Sequence, residues 1–390
     1  MKRIITFFLI FFIIFSIGVP VSFAEEKGSG AQLVENATSA ILIERDTGTV
    51  LYEKNSDEKL PPASMTKIMT MLLIMEAIDE GKLSMNEKIR TSERAASMGG
   101  SQIFLEAGEE MTTEEMLQGI AIASGNDASV AMAERLAGSE EAFTEMMNKK
   151  AKELGLKNTF FQNSTGLPAD KHYSSARDMA IMAKELLKYE EITKFTGTYE
   201  SYLREDTDDK FWLVNTNRLV RFYPGVDGLK TGFTKEAKYC LTATAEKDGM
   251  RVIAVVFGSP TSKDRNAQIT KMLDYAFGLY KTHPMYKRNH PVGKVSVSKG
   301  KKKTVEAVTS EPISLLTKKG EDIKNIEEEI SVQGHVNAPI KKGDKVGTIT
   351  FKKDGKVLLE SSLIAKEEIK KANWWELFKR SLGMFTRPGE

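Results

Sequence analysis

Between residues 64 and 80 apolar side chains fall on every side of a helical projection. Ile68, Met69, Met71, Leu72, Leu73, Ile74 and Met75 leave it no polar face. A helix of that kind is buried all round, so the pattern predicts a central helix that begins after Pro61-Pro62 and stops at Gly81. Residues 39–54 instead alternate around Asp46-Thr47-Gly48, the signature of a β-hairpin. Residues 113–137 and 139–155 read as helices, with Gly138 and Gly155 as stops. From Gly225 the pattern turns to strands at 226–234, 237–245 and 251–258, joined by short turns into an antiparallel meander. Residues 262–281 are again helical, with Ile269, Met272, Leu273, Ala276 and Leu279 on one side. These elements predict a sheet flanked by helices, with the early hairpin and the late strands in one sheet.

Beyond a boundary at His283-Pro284, residues 291–365 hold short Val/Ile/Leu runs between Lys- and Gly-rich turns, which predicts a small all-β domain. The basic run 299–303 lies among many Glu and reads as a solvated turn. The tail changes again. At about 100° per residue, Trp374, Trp375, Leu377, Phe378, Leu382, Met384 and Phe385 share one side, and Asn373, Glu376, Lys379 and Arg380 the other. Charge interrupts it too often for a bilayer span, but its shape suits lying in the interface. The alternative is a helix packing its Trp face on the β domain or on a partner protein.

Composition changes the picture in three ways. The 390 residues suffice for two domains with a sizeable core. Residues 1–24 read as an export signal: Met1-Lys2-Arg3, an apolar run from Ile4 to Val19, then Ser22-Phe23-Ala24 with small residues at −3 and −1. An uncleaved anchor is the runner-up, and either way the bulk of the chain works outside the cytoplasm. Removing Lys2 and Arg3 takes Lys+Arg from 56 to 54, equal to the 54 Asp+Glu, and a balanced chain argues against a dedicated nucleic-acid binder. Cys240 is the single cysteine, so no internal disulfide forms and a Cys/His metal site is implausible.

The strongest chemical feature is Ser64-Met65-Thr66-Lys67. On a helix this spacing puts hydroxyl and amine one turn apart on one face. A lysine takes a serine proton once its ammonium is disfavoured, by burial or by a second cation. The Ser-x-x-Lys pattern also starts at Ser56, Ser296 and Ser298. Those copies lie in charged turns, whereas only Ser64 opens a buried apolar helix, where an unpartnered lysine is costly. Ser124-Gly125-Asn126 precedes a helical run, so its side chains can point from a loop into a cleft, a cap or turn being the alternative when the motif is taken alone. Lys230-Thr231-Gly232 sits on the first strand of the meander, where the glycine allows close approach of a ligand to the backbone.

In this order and spacing the three motifs resemble those of the penicillin-binding protein and serine β-lactamase superfamily. The wider match is similar to the low-molecular-weight serine D-alanyl-D-alanine carboxypeptidases. It takes in residues 61–67, 123–128, Asn163-Ser164-Thr165-Gly166-Leu167, residues 174–178 and Gly228-Leu229-Lys230-Thr231-Gly232, and it extends over essentially the whole chain. The resemblance implies an α/β (α+β) catalytic domain at 25–283 after the 1–24 signal. A small β-rich domain at 284–365 and an amphipathic membrane-surface helix at 366–390 would follow. It implies an acyl-enzyme mechanism without cofactor or metal: Ser64 as nucleophile, Lys67 as general base and Ser124 as proton relay. Asn126 would hold the substrate amide, Lys230 would face the terminal carboxylate and keep Lys67 neutral, and Thr231 would donate a further hydrogen bond. The backbone N–H groups of Ser64 and Phe233 would form the oxyanion hole, beside Gly232. Many relatives carry His where this chain has Phe233. Arg265 is an additional carboxylate-binding candidate.

The implied partners are peptidoglycan stem peptides, β-lactam antibiotics as covalent inhibitors, and the outer face of the cytoplasmic membrane. Three rivals remain at this level: a β-lactamase, a DD-endopeptidase and a silent wall-binding protein. The β-lactamase needs a deacylating carboxylate, and Glu153 and Glu190 lie in the right interval but not in the expected Glu-x-x-Leu-Asn setting. A Ser-His-Asp hydrolase is disfavoured, with four histidines and His172 reading most simply as a loop residue.

Overall fold

The computed structural model describes residues 32–321 and 323–378; the export signal at 1–24 and residues 379–390 of the tail lie outside them. Strands β1 (Ser39–Glu44) and β2 (Val50–Lys54) form the expected hairpin, and β3 (Val226–Thr234), β4 (Lys238–Lys247) and β5 (Met250–Ser259) form the meander. The five join in one antiparallel sheet, order β2-β1-β5-β4-β3. Successive residues of a strand point to opposite faces. Ile41, Ile43, Ile253, Val255 and Phe257 therefore enter one core, and Ala40, Leu42, Val252, Ala254 and Val256 enter another. Burial on both faces explains why β1 and β5 read as continuous apolar runs.

The first core is filled by α1 (Lys67–Asp79), α2 (Asn126–Ala137), α3 (Glu140–Glu153) and α4 (Ala176–Leu186). Helix α1 packs against α2, α3 and α4, and residues 67–75 are all buried, as its all-round apolar pattern predicts. The second core is capped by α5 (Ser262–Leu279), through Ile269, Met272, Leu273 and Ala276. Two predicted helices differ. The one at 262–281 ends at Leu279, because Tyr280 already belongs to a strand. The one at 113–137 is broken at Ser124.

Strand β6 (Tyr280–Tyr286) contains His283 and Pro284, so the chain leaves α5 as a paired strand. Its partner is β9 (Ile313–Lys318). With β7 (Pro291–Ser298), β8 (Thr304–Thr309), β10 (Ile326–Val332), β11 (His335–Asn337), β12 (Lys345–Lys353) and β13 (Lys356–Ala365), a six-stranded sheet forms in the order β10-β12-β13-β8-β7-β11. It has a core of its own around Val295, Ile349, Phe351 and Leu363.

Polar contacts tie this part to the first. Ser314 on β9 donates to the Asp46 carboxylate in the hairpin turn. Arg288 donates to the Lys188 carbonyl at 3.1 Å and lies 4.9 Å from the Tyr189 ring centre. Lys342 grips Asp79, at the far end of α1, through its carboxylate at 3.1 Å and its carbonyl at 3.3 Å. At the end of the described chain residues 374–378 are helical. Asn373 and Glu376 cap that start reciprocally, each backbone N–H donating to the other's side chain at 2.8 Å.

Candidate active site

Ser64 lies on a 3-10 turn, Ala63–Thr66, and α1 begins only at Lys67. The predicted helix start at Ser64 thus becomes a tighter lead-in. Pro61 and Pro62 precede it, and Ala63 is held at φ +47°. Two glycines allow neighbouring chain to press on this turn. At Gly232 on β3 a Cβ would meet the Pro62 carbonyl oxygen at 2.7 Å and the Ala63 Cβ at 3.1 Å. The room Gly232 leaves is therefore taken by the serine turn, while the glycine itself lines the cleft. At Gly166 (φ +86°) a Cβ would sit 1.8 Å from the Ala63 carbonyl oxygen.

The Lys67 side chain is fully buried. Its Nζ lies 2.7 Å from Asn126 Oδ1, 2.8 Å from the Thr165 carbonyl oxygen and 3.2 Å from Ser64 Oγ. A neutral amine has two N–H bonds and one lone pair. Asn126 and Thr165 offer only acceptors to it, so they take both N–H bonds and the lone pair is left for the Ser64 hydroxyl. Burial, and then the nearby Lys230 cation, hold the Lys67 ammonium well below its ordinary range, with Asp127 opposing. Geometry and electrostatics both favour an amine able to take the serine proton.

Ser124 interrupts the expected long helix. The segment Thr113–Gln118 is α-helical, Gly119–Ala123 widens into a π-turn, and Ser124 takes φ +66° before α2 resumes at Asn126. A π-turn inside a helix is a recurrent feature of functional sites. Ser124 Oγ is buried and makes no hydrogen bond to another described residue, although it lines the same cleft as Ser64. Asn126 has both ends of its amide engaged: Oδ1 by Lys67 and Nδ2, which donates to the Gly99 carbonyl at 2.7 Å. Its oxygen orients the lysine. Asp127 accepts from the backbone N–H groups of Ile103 and Leu105 at 3.0 and 3.1 Å, fixing the segment beside Ser101.

On β3 Lys230 is almost fully buried, and its amine is pushed down to about 7, by burial first and then by the Arg265 cation. Thr231 Oγ1 donates to Thr216 Oγ1 at 2.7 Å. Phe233 is exposed, its ring 4.4 Å from that of Tyr239. Arg265, in the first turn of α5, is buried with its guanidinium on Asn266 Oδ1 at 2.9 and 3.1 Å, and burial pushes it down to about 10. Ser64, Ser124, Thr231, Gly232, Phe233 and Arg265 share one cleft of about 830 Å³. Its lining contains no aspartate or glutamate; Glu190 lines other hollows.

Sequence reasoning gave no role to the segment that closes the site from behind. Asn163 Oδ1 accepts from Thr165 and from the Gly166 N–H at 2.7 Å, building the turn that presents the Thr165 carbonyl to Lys67. Thr70 Oγ1 donates to the Ser164 carbonyl at 2.7 Å. His172 is buried, with Nδ1 accepting from the Gln162 N–H at 3.1 Å and Nε2 2.8 Å from Thr66 Oγ1. The Asn-x-x-Gly pattern was the readable signal of that turn; the histidine carried none.

A sequence model described as D-alanyl-D-alanine carboxypeptidase matches residues 26–261, and one described as the C-terminal domain of penicillin-binding protein 5 matches residues 280–371. The chain is 66% identical over 388 residues to D-alanyl-D-alanine carboxypeptidase DacF of Bacillus subtilis, covering 99% of this chain and 100% of that one. Penicillin-binding protein 5 from Haemophilus influenzae superposes with a TM-score of 0.66 at 29% identity, over 86% of this chain and 98% of the other. Penicillin-binding protein D2 from Listeria monocytogenes, in its ampicillin-bound form, gives 0.56 at 31% identity, over 62% and 97%.

Proposed function

We infer the roles of individual residues from one premise: the chain belongs to the D-alanyl-D-alanine carboxypeptidase family. It is a serine-type peptidase of D-Ala-D-Ala termini with a penicillin-binding protein 5-like architecture. In the proposed mechanism Ser64 Oγ attacks the carbonyl carbon of the penultimate D-alanine while Lys67 Nζ takes the hydroxyl proton. The backbone N–H groups of Ser64 and Phe233 receive the developing oxyanion. Ser124 passes the proton to the leaving amine, the C–N bond breaks, and free D-alanine departs from a Ser64 ester. Water then hydrolyses the ester and restores the serine. Lys230, Thr231 and Arg265 face the terminal carboxylate beside Gly232, and Asn126, with its oxygen on Lys67, keeps one amide N–H for the substrate amide. A β-lactam ring would be opened by the same attack.

The observation that carries this reading is the amine of Lys67, 3.2 Å from Ser64 Oγ with two acceptors on its other bonds. The carboxylate-free lining of the cleft supports slow release of a penicillin adduct, because the deacylating carboxylate of a β-lactamase has no counterpart there. The test is D-alanine release from a muramyl pentapeptide, together with the mass of the protein after benzylpenicillin. Stoichiometric release and an adduct on Ser64, both lost in Ser64→Ala, are expected. An adduct elsewhere, or rapid penicillin turnover without D-alanine release, overturns the reading.

We further propose export through residues 1–24 and the division into 25–283, 284–365 and 366–390. The last segment would hold the protein to the outer face of the membrane. Among the described residues no helix is long and apolar enough to cross a membrane. Support for a surface attachment comes from Trp374, Trp375 and Phe378, whose exposed rings stack at 5.3 to 5.6 Å on one side of the terminal helix.

A further inference from the structure

A second surface begins at the lip of the cleft. The ribbon Glu200–Leu203 with Phe211–Val214 runs into the cleft wall, since Val214, Asn215 and Thr216 all line the cavity. Tyr202 pairs directly with Trp212 across this ribbon, and Glu200 with Val214. Residues opposite one another, and those two apart along a strand, share a face. Tyr202, Trp212 and Glu200 therefore stand on the face that Val214 presents to the cleft, with Trp212 about 7 Å along the strand from Val214. Both rings are exposed, 41% for Tyr202 and 55% for Trp212. Leu203 and Leu213, on the opposite face, are buried.

Phe104 adjoins the other face of the ribbon, 63% exposed and edge-on to Phe211 with ring centres 5.5 Å apart. Its backbone has φ +56°, a costly conformation for a bulky residue. Several hydrogen bonds impose it. Asp127 takes the N–H groups on either side, and Arg204 donates to the carbonyls of Ile103 and Phe104 at 3.2 and 3.1 Å while held by Glu109.

We propose that Tyr202 and Trp212 seat the sugar rings of the glycan from which the stem peptide hangs. This proposal rests on the carboxypeptidase reading of the adjoining cleft. Flat aromatic faces with polar edges suit the C–H faces of pyranose rings; the Lys210 amine covers one face of the Tyr202 ring, 4.1 Å from its centre, which leaves the other face and Trp212 for the sugar, with Glu200 beside them as a partner for hydroxyl and acetamido groups. The charge of the ribbon selects against a lipid surface. Its turn carries Glu205, Asp206, Asp208 and Asp209, all exposed, which anionic headgroups would meet with repulsion. A sugar bearing a stem peptide is neutral, because its lactyl carboxyl group is consumed in the amide to the peptide.

The test compares kcat/KM for D-alanine release from a free pentapeptide and from the same pentapeptide on its N-acetylglucosaminyl-N-acetylmuramyl disaccharide, using the full chain. The disaccharide form is expected to be preferred about tenfold, through KM, as one aromatic stacking contact allows. Trp212→Ala abolishes the preference and leaves free-peptide turnover unchanged; Trp212→Phe retains most of it. The proposal is overturned if the native protein shows no preference, or if Trp212→Ala lowers both activities equally or neither. It is also overturned if the substitution removes binding to anionic phospholipid vesicles. Failure of the carboxypeptidase reading is separately visible, as absence of turnover of either substrate and of penicillin labelling at Ser64.

Discussion

His172 illustrates what a single side chain does here at a distance from the chemistry. Its neutral ring bridges the Gln162 N–H and the Thr66 hydroxyl, and so joins the segment behind Lys67 to the turn that carries Ser64. Burial pushes the ring down to about 4 from 6.5. Below pH 6.5 the unfolded chain takes up a proton that the folded chain refuses until about pH 4. Stability is therefore complete above pH 6.5 and falls across that window, by at most about 3 kcal/mol. The urea midpoint of His172→Asn should show a flatter decline over the same window; an unchanged slope would remove the ring from this role. Ser64, Lys67, Ser124 and Lys230 were legible as candidates because they stand in short motifs. His172 was not, because its partner Thr66 lies 106 residues away and only packing brings them together. The hydrogen bond from Lys67 to Asn126 was not legible either, because it depends on where the Lys67 amine ends.

At the scale of elements, periodicity read correctly wherever burial is uniform. Helix α1 and strands β1 and β3 to β5 follow their patterns closely. It failed at residues 113–137, since Gly-Ile-Ala-Ile-Ala at 119–123 keeps a helical apolar pattern straight through the π-turn that frees Ser124. Glycine contacts are equally silent in sequence. Gly155 and Gly166 both have positive φ, but a Cβ at Gly155 meets nothing within 4 Å whereas one at Gly166 meets the Ala63 carbonyl. Gly166→Ala should therefore slow acylation of Ser64 by benzylpenicillin about 10²-fold, the cost of displacing a reacting group by an ångström. Gly155→Ala, with similar backbone strain and no collision, should acylate at the native rate. Equal rates in the two variants would show that the Gly166 approach does not set the serine turn.

At the scale of the molecule, a second, all-β part was legible from its Lys- and Gly-rich turns, but its strand order was not. The parallel pairing of β7 with β11 joins segments whose connection carries no local signal. The tail offers a direct test. Replacing Trp374 and Trp375 by serine should weaken binding to phospholipid vesicles by at least about tenfold, from the apolar area removed, and leave D-alanine release intact. Undiminished sedimentation with vesicles would assign attachment to another part of the chain.

The grip of Lys342 on Asp79 has a mechanical reading. Lys67 and Asp79 are the two ends of α1, whose 13 residues measure about 20 Å. Because the helix is buried along nearly its whole length, it transmits displacement as a rod and does not bend around its load. With the tail on the membrane, as proposed, the all-β part would work as a pedestal. Lengthening or tilting it would change the height and bearing at which the cleft meets the wall, and leave the cleft's own shape untouched.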